Sequence, residues 1–387
     1  MRALVIVLDG VGCGGAPDAE AYGDLGADTL GHLAELGLLE VPTLMSLGLG
    51  HAMGRGAGPA RAAWGRMRER SAGKDSTTGH WEIAGVVLDE PFRVFDRFPA
   101  SLVQAIEAEA GVAFLGNRPA SGTQIIEELG PEHLRTGRPI LYTSADSVLQ
   151  VAAHEELFPP ERLYDICRIA RRHADAWRIG RVIARPFLGE PGRFARTPRR
   201  HDFSMAPPPT ILDATATAGL PVHGVGKIED LFAGQGITDS HPTRSNAEGM
   251  QMTERLWRQG GPGLVFTNLV DFDTEFGHRR DAPGFARALA EFDTWLAAFL
   301  PLCGPEDLVV LTADHGTDPT FRGTDHTREE VPLLALHGGL AGPLGTRDGF
   351  SDVAATLAAH FGLARWPVGQ PMLTPRAALP PAPPRPG

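Results

Sequence analysis

At 387 residues, 42% of them hydrophobic, the chain has room for two domains, each with a core of its own. A formal net charge of −11, with no basic patch and no basic run interleaved with aromatics, excludes a nucleic-acid partner. No apolar run reaches the length of a membrane span, and the three cysteines, Cys13, Cys167 and Cys303, are too scattered for a thiolate zinc site.

The first element is the run Ala3-Leu4-Val5-Ile6-Val7-Leu8, a strand covered on both faces that leads into Asp9. Six apolar residues are too few for the central region of a signal peptide. Next comes Gly73-Lys74-Asp75-Ser76-Thr77-Thr78-Gly79-His80-Trp81-Glu82, with three consecutive hydroxyl residues between an acid and a glycine. This pattern opens a helix whose free N–H groups receive a phosphate, and it equally suits a helix start capped by Asp75 or Ser76. A metal-activated hydroxyl there would attack phosphorus.

Residues 92–209 read differently. A helix over 102–110, a strand over 140–143, an amphipathic helix over 161–173 and a strand over 181–184 alternate as in a second α/β module. Asp146, in Ser144-Ala145-Asp146-Ser147, reads as a turn residue, and Pro207-Pro208-Pro209 as a stiff connection. Lysine is nearly absent, Lys74 and Lys227 standing against 34 arginines. Each lysine offers a point charge to phosphate.

Towards the C-terminus the strand pattern returns. Leu264-Val265-Phe266 through Leu269-Val270 leads into Asp271-Phe272-Asp273, with His278 five residues on. The stretch 283–300 reads as an amphipathic core helix, with Phe285, Leu289, Phe292, Leu296 and Phe299 on one face. Leu308-Val309-Val310-Leu311 leads into Thr312-Ala313-Asp314-His315-Gly316, and His326 follows in Gly323-Thr324-Asp325-His326-Thr327. The proline-rich tail, 375–387, is expected to be extended or disordered.

Buried strands that end in Asp9, Asp273 and Asp314 gather those carboxylates along one edge of a parallel sheet. With His278, His315 and His326 they exceed the needs of one tetrahedral site and divide naturally between two ions bridged by a phosphate oxygen. Carboxylate and imidazole without thiolate suit manganese or zinc.

Taken together, Asp9, residues 15–19, 73–82, 142–148 and 184–187, Asp273 to His278 and Asp314 to His326 closely resemble phosphopentomutases, of the alkaline phosphatase superfamily. The resemblance spans nearly the whole chain. It implies a core with a mostly parallel sheet flanked by helices (1–91 and 210–374), interrupted by a smaller α/β cap (92–209), with the substrate between them. It implies two divalent ions, usually manganese, one on Asp273, His278 and His326, the other on Asp9, Asp314, His315 and the nucleophile. Counting back from His80 makes that nucleophile Ser76, where the family carries threonine, and Thr77 is the second candidate. Asp146, Arg185, Arg200 and Lys227 fall at positions that resemble substrate-binding residues. The implied activity is exchange of phosphate between C1 and C5 of ribose or 2-deoxyribose, primed by a sugar bisphosphate. A small pentose phosphate, neither nucleic acid nor membrane, is the expected partner, and the cytoplasm the expected location. Rivals with the same core are a phosphomonoester hydrolase and a phosphoglycerate mutase.

Overall fold

The computed structural model describes residues 1–144, 147–338 and 340–372; the proline-rich tail lies outside these. The chain divides into two compact units, unit 1 with Met1–Leu88, Pro208–Glu229 and the residues from Gly236 onward, unit 2 with Asp89–Pro207 and Asp230–Gln235.

In chain order, unit 1 opens with β1 (Arg2–Leu8) and β2 (Ala63–Met67). Unit 2 contains β3 (Leu115–Pro119), β4 (Ile140–Thr143), β5 (Val148–His154), β6 (Arg181–Leu188), β7 (Ala195–Arg196) and β8 (His201–Ser204). The chain re-enters unit 1 for β9 (Val222–Val225), β10 (Asp239–His241), β11 (Gly263–Leu269), β12 (Leu308–Thr312), β13 (Val331–Leu336) and β14 (Gly342–Arg347).

The sheet of unit 1 runs β10-β9-β11-β1-β12-β13-β2-β14. The first five strands are mutually parallel, β13 is antiparallel to both its neighbours, and β14 lies parallel to β2. β1, β11 and β12 are buried along nearly their whole length, as their unbroken apolar runs require. Parallel pairing then brings the C-terminal ends of all three to one edge. The helix Ala282–Phe299 packs the predicted stripe Phe285, Leu289, Phe292, Leu296 and Phe299 into the core.

Unit 2 has its own sheet, β3-β4-β5-β6-β7, with β8 also paired to β6. Alternate residues feed two cores. Leu141, Leu149, Val151 and Ala153 meet Leu102 and Ile106 of the helix Ala100–Ala110, with Leu163 and Ile166 of the helix Pro160–Ala174. Ile140, Tyr142 and Ala152 meet Ile125 and Ile126 of the helix Gly122–Thr136. No helix among the described residues is long and apolar enough to cross a membrane.

Candidate metal and phosphoryl-transfer site

The C-terminal edge of the unit 1 sheet carries two groups of metal-ligand type. The ligand atoms of Asp273, His278 and His326 lie within 4.8 Å of one another, as do those of Asp9, Asp314 and His315. Asp9 follows β1, and Asp314 and His315 follow β12. Asp273 and His278 belong to the π-helical turn Phe272–Gly277 and the residue after it. The two groups adjoin: the rings of His315 and His326 are 4.1 Å apart, and Thr317 Oγ1 donates to Asp273 Oδ1 (2.8 Å) while lying 3.3 Å from His315 Nδ1.

The side chains fit divalent cations on three counts. His278 Nδ1 donates to Thr324 O (2.7 Å) and His315 Nδ1 to Gly316 O (3.0 Å), so each ring presents the Nε2 lone pair to the cluster. Those Nε2 atoms face carboxylate oxygens, His278 to Asp273 at 3.2 Å and His315 to Asp9 and Asp314 at 3.4 Å, close enough for one cation to take ligands from both partners. Asp314 Oδ2 is wholly buried, 3.1 Å from His80 Nδ1, yet receives no properly directed hydrogen bond, the state of an oxygen kept for a cation. Burial raises the Asp273 carboxyl, but the imidazoles of His278 and His326 beside it outweigh that and hold the group well below the usual range. Burial acts on Asp314 in the same way, and the charges of His315 and His80 reverse it.

Ser76 is the first residue of the helix Ser76–Ile83. Asp75 is the cap, its side chain accepting from Thr78 N (3.1 Å) and Thr78 Oγ1 (2.6 Å). The Ser76 hydroxyl is therefore left for the cluster, 3.4 Å from Asp9 Oδ1 and 3.1 Å from His315 Nε2. Thr77 makes no polar side-chain contact with the cluster among the described residues. Gly79 lets this helix approach β12: a Cβ there would stand 2.2 Å from the Asp314 carbonyl oxygen.

Lys227 is exposed just beyond β9, and its positive charge acts on Asp271. Lys74, which composition offers to phosphate, is engaged instead by Asp24 (3.0 Å) and Asp325 (3.4 Å). In unit 2, Arg185 donates Nε to Gln150 Oε1 (3.1 Å), and Arg200 is bidentate to Asp202 with both contacts at 2.6 Å. Asp146 lies outside the described residues.

Sequence reasoning overlooks several supporting groups. Asn268 on β11 donates Nδ2 to Asp9 Oδ2 (2.8 Å) and lies 3.2 Å from His80 Nε2, while His80 Nδ1 lies 2.8 Å from Ser76 O. Buried Glu82 accepts from Arg70 N, Ser71 N and Phe350 N. Arg328 donates to Asp18, Glu69, Ser71 O and Gly73 O, tying the segment before the Ser76 helix to the loop of His326.

Comparison with known proteins defines the class first. The Metalloenzyme superfamily profile matches residues 212–365, which include β9 to β13 and five of the six candidate ligands. The PH0037 protein of Pyrococcus horikoshii shares the fold, with a TM-score of 0.50 at 15% identity over 93% of this chain and 97% of that one. Fold and site thus point to a metalloenzyme, the class that the matching profile names.

Closer relatives narrow this. Phosphopentomutase of Anaeromyxobacter dehalogenans is 54% identical over 371 residues, 94% of this chain and 95% of that protein. That of Caldanaerobacter subterraneus is 51% identical over 375 residues, 94% of each. The chain belongs to the phosphopentomutase family, and is accordingly an enzyme of the intramolecular phosphotransferase class.

Proposed function

We propose that the chain interconverts the 1- and 5-phosphates of ribose or 2-deoxyribose through a phosphorylated Ser76 and a sugar bisphosphate. The observation that carries this reading is the Ser76 hydroxyl, uncapped, at a helix N-terminus, in contact with Asp9 and His315. Unit 1 is the catalytic core in this reading and unit 2 an inserted cap.

Two divalent ions, manganese by family resemblance, would be held by Asp273, His278 and His326 and by Asp9, Asp314 and His315; when bound they neutralise charge on the transferring phosphoryl group and acidify the attacking hydroxyl. In the first half-reaction the phosphorus–oxygen bond to Ser76 breaks and one forms to the free hydroxyl of the pentose monophosphate, which gives up its proton. In the second, the bisphosphate passes its other phosphate to Ser76 Oγ and leaves as the isomer. His80 braces the Ser76 carbonyl, and Asn268 holds the far oxygen of Asp9 so that Oδ1 faces Ser76. Free N–H groups in the first turn of the helix stabilise the oxygens of the phosphoserine. A hexose or pentose bisphosphate primes Ser76, while Arg185, Arg200, Lys227 and Asp146 contact the sugar phosphate. The proposed setting is nucleoside catabolism in the cytoplasm; free Cys13, Cys167 and Cys303 suit a reducing compartment.

A phosphorus NMR time course with manganese, a trace of hexose 1,6-bisphosphate and ribose 1-phosphate tests the reading. Conversion to ribose 5-phosphate without free phosphate is expected. Accumulating inorganic phosphate would make the enzyme a hydrolase instead.

A further inference from the structure

One buried carboxylate beside the ligand groups of unit 1 has no part in the mechanism. Glu329 lies two residues before β13 and is 2% exposed. Its Oε2 accepts from Gly14 N (3.2 Å) and Thr29 N (2.9 Å), and its Oε1 from the hydroxyls of Thr29 and Thr327, each at 2.7 Å. No cation pairs with it among the described residues. A buried carboxylate without a counter-ion is costly, and this one persists because four donors satisfy its two oxygens. With those lone pairs taken it is neither a spare ligand nor a base. What remains to it is to fix the groups that donate to it.

Two glycines make room for it. A Cβ at Gly12 would stand 2.2 Å from Oε2, and one at Gly316 would stand 2.3 Å from Oε1. Gly12 belongs to the segment that follows β1 and Asp9, and Gly316 is the residue after His315. The carboxylate is thus wedged between the two segments that carry Asp9, Asp314 and His315. Thr327 connects it to the other ligand group. That residue follows His326 and exchanges backbone hydrogen bonds with Gly316, its N–H donating at 2.7 Å and its carbonyl accepting at 3.1 Å. Main-chain bonds from Cys13 N to Glu330 O and from Glu330 N to Gly14 O, both 2.8 Å, hold the segment after β1 against the same strip. The Glu329 side chain adds the link that crosses from Thr29 to Thr327, beside the point where the rings of His315 and His326 stand 4.1 Å apart.

We propose that Glu329 is a positioning residue of the two-ion site, its carboxylate fixing Thr327 and Gly316 so that His326 and His315 are held at a set separation for their ions. This role rests on the two-ion reading given above. Glu329 touches neither ion nor substrate in it; the residue acts through the backbone that carries one ligand of each group. Groups that orient metal ligands in this way change metal affinity by about 10–100-fold when they are removed.

The test is calorimetric titration of the metal-free, full-length protein with manganese chloride, together with the melting temperature of each metal-free variant. A pH of 8 keeps the carboxylate charged, since burial pushes the Glu329 carboxyl up to about 7. Glu329→Gln turns one acceptor oxygen into a donor, and Thr327→Val removes a hydroxyl at nearly constant shape. Each is expected to weaken manganese binding by about 10–100-fold, and Thr327→Ser, which keeps the hydroxyl, to bind manganese as the parent does. A residue that only props the fold would lower the melting temperature and leave the affinity of the folded protein where it was. Manganese binding by Glu329→Gln and Thr327→Val as tight as the parent's therefore overturns the positioning role and leaves the proposed function untouched; Thr327→Val decides alone if Glu329→Gln does not fold. Weakened binding in these variants, with a parent that fails to interconvert the pentose phosphates, leaves the role standing and overturns the proposed function.

Discussion

Asp75 takes the cap of the helix Ser76–Ile83, and this is what leaves the neighbouring hydroxyl free for chemistry. A single residue of shift would reverse the two roles. Arg328 secures this arrangement from the opposite side, its guanidinium nearly buried against Glu69, whose carboxyl burial pushes well above its ordinary value despite the opposing charge of Arg328. Arg328→Met should destabilise the fold by about 3–5 kcal/mol, because Glu69 remains buried without its cation. Urea denaturation measures this, and a loss below about 1 kcal/mol would show the network to be slack. Asp9, Asp314 and His315 were legible as residues because each ends a buried apolar run. Asn268 was not, since it lies inside such a run and its partner Asp9 is 259 positions away. Arg328 was hidden for the same reason, its bonds to Asp18 and Glu69 spanning 310 and 259 positions.

Among the elements, the approach of the Ser76 helix to the end of β12 matters most for the site. A methyl group at Gly79 would meet the Asp314 backbone, which cannot yield as a flexible side chain does. Gly79→Ala should move the helix and Ser76 relative to His315. A displacement near 1 Å costs on the order of a hundredfold in rate. Steady-state kinetics at saturating metal would show this as a fall in kcat, and an unchanged kcat would mean the helix seat is loose. The strands that lead into the site were readable to within a residue or so: the runs into Asp9, Asp273 and Asp314 are β1, β11 and β12. β13 escaped notice because Pro332 argues against a central strand. The structure tolerates it since the ladder to β12 ends at Leu334, leaving only β2 paired beside Pro332. β14 is glycine-rich with alternating exposure, and its pairing with β2 depends on a bulge that no short-range pattern reveals.

For the molecule as a whole, acid stability follows from carboxylates held in their charged form. Burial raises both Asp307 and Asp318, but the first is overruled by the Arg2 guanidinium and the second by N–H and hydroxyl donors from Asp28 and Thr320, so both lie below the ordinary 3.8. A depressed carboxyl contributes stability that is complete above the unfolded value and is lost as pH falls through the folded one. Melting temperature should thus decline below about pH 4, and Asp307→Asn with Asp318→Asn should flatten that limb while lowering stability at neutrality. An acid limb as steep as the parent's would contradict these assignments. At this scale composition and alternating texture point to an α/β module within 92–209, but strand order in either sheet depends on long-range pairing that periodicity does not encode. The inclusion of Asp230–Gln235 in unit 2 is of that kind.

The central claim is that phosphate passes through Ser76. Incubating the metal-loaded protein with a hexose 1,6-bisphosphate, then locating the covalent phosphate by peptide mass spectrometry, tests it most directly. The account predicts stoichiometric phosphorylation of Ser76, absent in Ser76→Ala and present in Ser76→Thr. Phosphate on Thr77, or label retained by Ser76→Ala, would contradict it.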